Sequence, residues 1–437
     1  MTKLINLCTK IGSGATPKGG KNSYLGGSIS LIRSQNVLHN DFTYEGLVYI
    51  NDDQASKLSN VLIEEDDVLL NITGDSVARC CNVPKEVIPA RVNQHVMIIR
   101  TKKDVLCPYF LKYFLISKGT QDLLLNLSSA GATRKALTKA MIENLEIIDL
   151  NINTQKSISN FLKTFDLKIQ KNILENNLLK ETTETIFKSW FINFDPVRSK
   201  TENRTSGLSE EINKLFPNKF INSEIGEIPE GWEVVNLTEV FDIQGGSQPP
   251  AKTFKKDIEA GYIRLLQIRD YDKTGHETYI PVTKNLRIVN EDDVLIGRYG
   301  SGNGKFMQDS LGRPLRGLSG AINVAVVRTI PKVENSREYI YNMVSSGYFY
   351  NQIVGGSARA VQAGFKKEDL QFIKIALPPQ DILSRFEKLG VAIWERRKLF
   401  ENENNVLSKI RDTLLPKLIS GELKIPDAYS LIENKEN

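Results

Sequence analysis

EDDVLLNITGD (Glu65–Asp75) returns, acidic turn and apolar centre intact, as EDDVLIGRYGS (Glu291–Ser301). Working outward, each copy is preceded by a Gly-rich opening and an IR-containing strand pattern. These are IGSGATPKGG from Ile11 with LIRSQNV from Leu31, then IQGGSQPP from Ile243 with YIRLLQIRD from Tyr262. Each copy is followed by a Gly-polar-Arg segment and a short β pattern, GATRKALTKAMIENLEII from Gly131 and GSARAVQAGFKKEDLQFIKI from Gly356. Each then runs into a long helical stretch. The repeat is far longer than the roughly 20–50-residue period of a solenoid, so the chain reads as a tandem duplication of a whole domain plus helix. Two similar modules on one chain suit a protein that reads two similar things at once.

Composition bounds the answer further. With 437 residues and 41% hydrophobic content the chain can bury several cores of its own. No apolar run approaches the roughly 20 residues needed to span a bilayer. The opening MTKLINLCTK lacks the apolar core of a signal peptide, so a cytoplasmic location in a bacterium or archaeon and no membrane partner are expected. Cys8, Cys80, Cys81 and Cys107 form no C-x-x-C pair and read as reduced and structural, with Cys80 and Cys81 on opposite faces of a strand. The net charge of +5 is a mild bias, well short of a histone-like footprint, so any nucleic-acid affinity must come from local placement of charge or from a partner's surface.

The expected fold class is α+β: two mixed α/β domains separated by two long antiparallel helices forming a coiled coil, with a pseudo-twofold internal repeat. SISLIRS, DDVLLNI and HVMIIR alternate with turns and precede helical PYFLKYFLISKGTQDLLLNL in the first module, residues 1–150. The first helix, 151–194, places Ile158, Phe165, Asn172, Leu179 and Ile186 at one heptad position and Leu162, Ile169, Asn176, Thr183 and Trp190 at the other. Its polar middle layers are expected to specify register rather than strength. Asp195 and Pro196 stop it, and residues 195–224, rich in Ser, Asn, Lys and Glu, read as a linker without a clear element. The second module spans 225–380. The second helix, 381–422, carries Phe386, Ile393, Phe400, Leu407 and Leu414 on its seam and leaves a tail, 423–437. Paired antiparallel, the helices would act as a ruler between the modules. Ile173, Leu178, Phe187 and Leu399 lie off the seam and are candidates either for helices of partner subunits or for a second side of the core.

Catalytic parts are missing from this pattern. His39, His95 and His276 have no partners at metal-ligand spacing, and GSGNGKF from Gly300 has the wrong gap for a phosphate loop. LPPQ (Leu377–Gln380) lacks the acid or amide and the aromatic of an amino-methyltransferase signature. Asp66, Asp67, Asp292 and Asp293 precede apolar strands in a turn-like context, where carboxylates satisfy loop N–H groups. No metal site and no catalytic residue is assigned.

Four further strings carry a resemblance: IFKSWFINFDPVRSK (Ile186–Lys200), GEIPEGWEVVNL (Gly226–Leu237), LPPQ, and LLPKLISGEL (Leu414–Leu423). In this order, and over almost the whole chain, they resemble the specificity (S) subunits of type I restriction-modification systems. The resemblance implies two target-recognition domains, each contacting one half of a split double-stranded DNA site, on helices that fix the spacing. It also implies a subunit that is not an enzyme by itself and binds no cofactor of its own. Such a subunit docks two adenine methyltransferase (M) subunits and two translocase-nuclease restriction (R) subunits, which bind S-adenosylmethionine, ATP and Mg. The first module lacks the I-P-x-G-W opening of the second, so a shortened edge strand is expected there. Rival readings are a subunit of a methylation-only or related two-site system, a self-contained nuclease or methyltransferase, and a coiled-coil assembly protein.

DNA-reading candidates are side chains able to fork onto base edges or phosphates where the copies differ around a shared scaffold. In the first module these are Lys18, Lys21, Arg33, Gln35, Asn36, Arg79, Arg134 and Lys135. In the second they are Gln248, Lys252, Arg264, Gln267, Arg269, Arg298, Tyr299, Lys305, Arg316 and Arg359. Arg298 and Tyr299 stand out because RYGSGNGK replaces NITGDSVA at the matched position.

Overall fold

The structure is a computed structural model and describes residues 1–19, 24, 26–129, 135–272, 277–300, 310–357 and 363–428. The chain divides into two compact units. One comprises residues up to Asn172 together with those from Asn402 onward, and the other comprises Ile173–Glu401.

In the first unit, β1 (Cys8–Ser13), β7 (Val96–Thr101), β4 (Val68–Asn71) and β5 (Cys80–Asn82) form an antiparallel sheet in that order. A second sheet joins β3 (Val48–Ile50), β2 (Ile29–Ile32) and β6 (Ala90–Val92), with β2 and β6 parallel. The two central strands of the first sheet, β4 and β7, are buried on both faces, which is why VLLN and VMII read as continuous apolar runs. Val68, Leu70, Met97 and Ile99 face helix α1 (Pro108–Ile116), while Leu69, Val96 and Ile98 face the second sheet. Cys80 and Cys81 divide between the same two cores, and all four cysteines are buried free thiols. Burial pushes the Cys8 and Cys80 thiols up to about 12, so neither is a thiolate at neutral pH.

Pro108 opens α1, where a missing N–H costs nothing. The preceding Cys107 N–H donates to Gln155 Oε1 at 2.9 Å, tying the start of α1 to the long helix α3 (Ile152–Phe187). Beneath α1, Ile158, Phe161, Leu162 and Phe165 of α3 pack with Leu414, Leu415 and Leu418 of the second long helix, α8 (Gln380–Ser420). Asn172 closes this stretch, its Nδ2 donating to Glu403 Oε2 at 2.7 Å and Asn404 Oδ1 at 2.9 Å. Ile169 and Leu407 are half-buried.

A buried ionic node holds α1 and the Asn40 loop to this pair of helices. Asp166 accepts from Lys112 Nζ at 3.1 Å, Tyr113 Oη at 2.6 Å, Arg411 Nη1 at 2.8 Å and Asn40 Nδ2 at 2.9 Å. Asn40 Oδ1 in turn accepts from Lys112 at 2.6 Å. Burial opposes the Asp166 charge, but Lys112, the Tyr113 hydroxyl and Arg411 outweigh it and hold the carboxyl below its ordinary value.

The second unit repeats the plan. β8 (Phe241–Gly245), β15 (Val326–Pro331), β12 (Leu295–Gly297) and β13 (Pro314–Leu315) form one sheet in that order. β10 (Tyr279–Pro281), β9 (Tyr262–Leu266), β14 (Gly320–Ile322) and β11 (Ile288–Val289) form the other, with β9 and β14 parallel. Helices α6 (Arg337–Ser345) and α7 (Tyr348–Ser357) follow, matching α1 and α2 (Lys118–Ser129) of the first unit. The edge ribbons differ in length. Thr2–Lys3 pairs with Glu146–Ile147, whereas Glu233–Asn236 pairs with Lys374–Leu377.

At the end of α3 the chain passes through a π-helical turn, Lys188–Ile192, and a left-handed Phe194. Phe187, Trp190 and Phe191 cluster there with Phe386 of α8, and Ile186 packs at their margin. Phe187 is therefore a core residue, 1% exposed, and not a surface for a partner helix. Ile173, Leu178 and Leu399 are exposed. Leu179 and Ile393 are half-buried, and Phe400 is buried. Asn176 and Arg397 form a reciprocal clamp: Arg397 Nε donates to Asn176 Oδ1 at 2.7 Å, and Asn176 Nδ2 donates to the Arg397 carbonyl at 3.2 Å.

Residues 195–224, read as lacking an element, form α4 (Asp195–Thr201), α5 (Glu210–Leu215) and a strand, Phe220–Ser223, paired with Gly226–Pro229. Each piece is anchored by one or two apolar side chains, among them Val197 and Phe216, in the aromatic core. Anchors that sparse leave no periodicity in a polar stretch.

Replacing Asp166 with Ala leaves the buried Lys112 without its carboxylate and Arg411 with Asp412 alone, and is expected to cost about 3–5 kcal/mol in chemical denaturation at neutral pH. Because the folded Asp166 pKa is depressed, its contribution is present above the unfolded carboxyl value and is lost as pH falls through the folded one. The difference between wild type and variant should therefore narrow below about pH 4. A constant difference across that range would contradict the assignment.

Candidate nucleic-acid interface

Main-chain hydrogen bonds bring four segments together at one end of the first unit. Ala15 N donates to Val92 O at 3.0 Å, Ile72 N to His95 O at 3.0 Å, and Leu137 N to Ile72 O at 2.8 Å. In the second unit Ser247 N donates to Ile322 O at 3.2 Å, Arg298 N to Ala325 O at 2.9 Å, and Phe365 N to Arg298 O at 3.3 Å. The turn between strands is also kept: Asn93 Oδ1 accepts from His95 N, and Asn323 Oδ1 accepts from Ala325 N. Two glycines mark the tightest point. A Cβ on Gly14 would lie 2.2 Å from the Val92 carbonyl oxygen, and one on Gly246 would lie 2.0 Å from that of Ile322, so neither site accepts a side chain.

Several sequence candidates surround this frame. In the first unit Lys18, Arg79 and Lys135 are exposed, and the Lys135 carbonyl accepts from Gly74 N. Arg33 and Gln35 lie on a neighbouring loop, where Arg33 Nη2 donates to the Gly46 carbonyl at 2.5 Å and Gln35 Nε2 donates at 3.4 Å. In the second unit Gln248 and Lys252 are exposed. Arg298 is half-buried, its Nε donating to Phe365 O at 3.2 Å and its guanidinium 5.4 Å from the Tyr299 ring centroid. Lys21, Arg134, Lys305 and Arg359, like His276, lie outside the described residues.

Other candidates are occupied by the fold itself. Asn36 is sealed from solvent; its Oδ1 accepts from Arg33 N and its Nδ2 donates to the carbonyls of Thr43 and Glu45, stapling the loop that carries Arg33. Arg316 has a side chain only 2% exposed, its Nη1 donating to Glu338 Oε2 at 2.9 Å and its guanidinium 4.2 Å from the Trp394 ring centroid. Neither presents a group to a base edge. Arg264 is shared between Asp270 and Glu277, Arg269 bonds Thr278 Oγ1, and the Gln267 Nε2 atom is buried.

The acidic pairs are structural. Asp67 accepts from Glu64 N and from two nitrogens of Arg100, and Asp293 accepts from Asn290 N. Asp66 pairs with Lys103, while Asp292 accepts from Trp394 Nε1 and Lys398 Nζ. Among the described residues no group of three or more His, Cys, Asp or Glu could hold a metal ion, and no helix is long and apolar enough to cross a membrane.

Sequence reading passed over Thr16, Thr73, Gln94 and His95, which sit on the four-segment frame. The signal available was the matched Asn93 and Asn323, which align Gln94 and His95 with Val324 and Ala325.

The features described define a duplicated recognition module with one loop-bearing end in each copy. A family model described as "Type I restriction modification DNA specificity domain" matches residues 2–180 and again 229–414, and the chain belongs to this family. It is 24% identical over 432 residues to the MjaIX type I restriction enzyme specificity subunit of Methanocaldococcus jannaschii, covering 96% of this chain and 92% of the relative. It is 24% identical over 445 residues to the HindI specificity subunit of Haemophilus influenzae, covering 91% and 94%. The crystal structure of the type I restriction-modification S subunit from M. genitalium shares the fold, with a TM-score of 0.53 at 14% identity over 95% of each chain.

Arg316→Ala should lower stability by about 3–5 kcal/mol in denaturant titration, since it leaves Glu338 buried and unpaired. A denaturation midpoint equal to wild type would return Arg316 to the DNA-reading candidates.

Proposed function

We propose that this chain is the sequence-specific DNA-binding subunit of a type I restriction-modification complex, reading a bipartite target with one half-site per unit. The observation that supports it best is the repeated frame: a family domain present twice, with matched main-chain bonds and different side chains at the loop-bearing end. The recognition domains are assigned to residues 1–150 and 225–380, and the spacer helices to 151–194 and 381–422. By this reading the chain is non-catalytic alone. It scaffolds two methyltransferase subunits and two translocase-nuclease subunits, and S-adenosylmethionine, ATP and Mg belong to those partners in the cytoplasm. The exposed apolar side chains Ile173, Leu178 and Leu399 are suited to receiving partner helices.

The purified chain should transfer no methyl group. Combined with its methyltransferase subunits it should direct adenine methylation to a two-part motif with a fixed gap, read by sequencing modified DNA. Affinity should fall about 10³-fold or more from low to moderate salt if some six phosphates are neutralised. Methyl transfer by the chain alone, or a motif in one part, would overturn the reading.

The continuous helices are proposed to set that gap. Four residues inserted after Asn176 add about 6 Å of helix. At roughly 3.4 Å per base pair the gap should grow by one to two base pairs with both half-sites unchanged. An unaltered gap in an active complex would mean that another element sets it.

A further inference from the structure

The two units share one frame but differ at the same four positions. The matched main-chain bonds align Thr16 with Gln248, Thr73 with Tyr299, Gln94 with Val324 and His95 with Ala325. In the first unit the four side chains form a hydrogen-bonded row. The Thr16 hydroxyl donates to Gln94 Oε1, Gln94 Nε2 lies 3.1 Å from His95 Nε2, and His95 Nδ1 lies 2.6 Å from Thr73 Oγ1. Gln94 is exposed, and the other three are half-buried. In the second unit the same positions carry an amide, a phenol ring and two apolar side chains, with Val324 39% exposed.

We propose that these four positions are the base-reading positions of each unit. The polar row of the first would read purine edges by hydrogen bonding, and Val324 with Tyr299 would read a thymine methyl and its neighbouring base by apolar contact. This rests on the DNA-binding reading above and names the residues that carry it out.

Three observations support the assignment. The frame does not need these side chains, because the second unit makes the same main-chain bonds with Ala325 where the first has His95. Each of three converging segments contributes to the row: the Gly-rich opening supplies Thr16, the segment just after β4 supplies Thr73, and the turn before β7 supplies Gln94 and His95. The row is also flanked by the exposed cations Lys18 and Lys135, which suit phosphates, while an amide and an imidazole can both donate and accept as adenine N6/N7 and guanine O6/N7 require. An apolar side chain suits the thymine methyl group, the one apolar mark in the major groove.

The test uses the full chain assembled with its methyltransferase subunits, comparing wild type with a Gln94→Val, His95→Ala double variant that carries the second unit's residues into the first. Methylated sites are mapped by sequencing, and relative affinity is measured by competition with duplexes altered one base pair at a time. The variant should lose about 10- to 100-fold of its preference at one or two base pairs of a single half-site, with the other half-site and the gap as in wild type. Unchanged base preference in the variant overturns the proposal. Should the double variant melt early, Gln94→Glu changes only an exposed side chain of the same shape. It removes a donor and adds a negative charge, so it should shift preference in the same half-site, and an unchanged motif again overturns the proposal. A wild-type complex that methylates no two-part site would count against the proposed function itself. A two-part wild-type site with unaltered variants counts against this assignment alone.

Discussion

Two absent side chains set the geometry on which the rest depends. Gly14 and Gly246 bring the Gly-rich opening against the carbonyl oxygens of Val92 and Ile322, closer than any Cβ permits. That contact fixes the opening beside the end of the parallel pair of strands and, through the Asn93 and Asn323 turns, beside the next strand. Four segments distant in sequence are thereby held adjacent by matched main-chain hydrogen bonds and by the two Asn turns. The side chains at the four differing positions are not needed for those bonds, so the two copies can differ there while keeping one architecture.

Each unit is fastened to its stretch of helix by buried charge. In the first, Asp166 of α3 collects Lys112, Tyr113 and Arg411; in the second, Arg316 pairs with Glu338 and stacks on Trp394 of α8. Gly317, at φ +88°, lies against the Trp394 ring, where an added Cβ would sit only 3.2 Å from the ring edge. Buried pairs of this kind add little net stability over a well-packed apolar contact, but a shifted register leaves them unpaired at a cost of several kcal/mol. Their value here is orientation: a reading surface that tilts or slides on its helix would lose its base pairs. The Asn172 and Asn176 layers act in the same way along the helices.

The duplication, the two long helices and the strand assignments were legible because they rest on long repeated strings and on periods of two and seven. The heptad pattern leaves Phe187 open between a partner surface and a second side of the core, and the π-helical turn that follows decides for the core by gathering it with Phe191 and Phe386 into an aromatic cluster. The elements in 195–224 were illegible because each is too short for a period and leans on an anchor such as Phe216. At the candidate site, residue type favoured Arg and Asn, yet Arg316 and Asn36 are held inside by Glu338 and by loop carbonyls that composition cannot reveal. Gln94 and His95 became visible only when main-chain bonds aligned the two copies.

The central claim is that each unit reads its own half of the target on an independent frame. The most direct measurement is the methylation motif of a complex whose chain carries residues 1–150 exchanged for the matching domain of a relative. The account predicts that one half of the motif changes to the relative's, while the other half and the gap are kept. A motif in which both halves change together would show that the two units read DNA as one surface and would contradict the account.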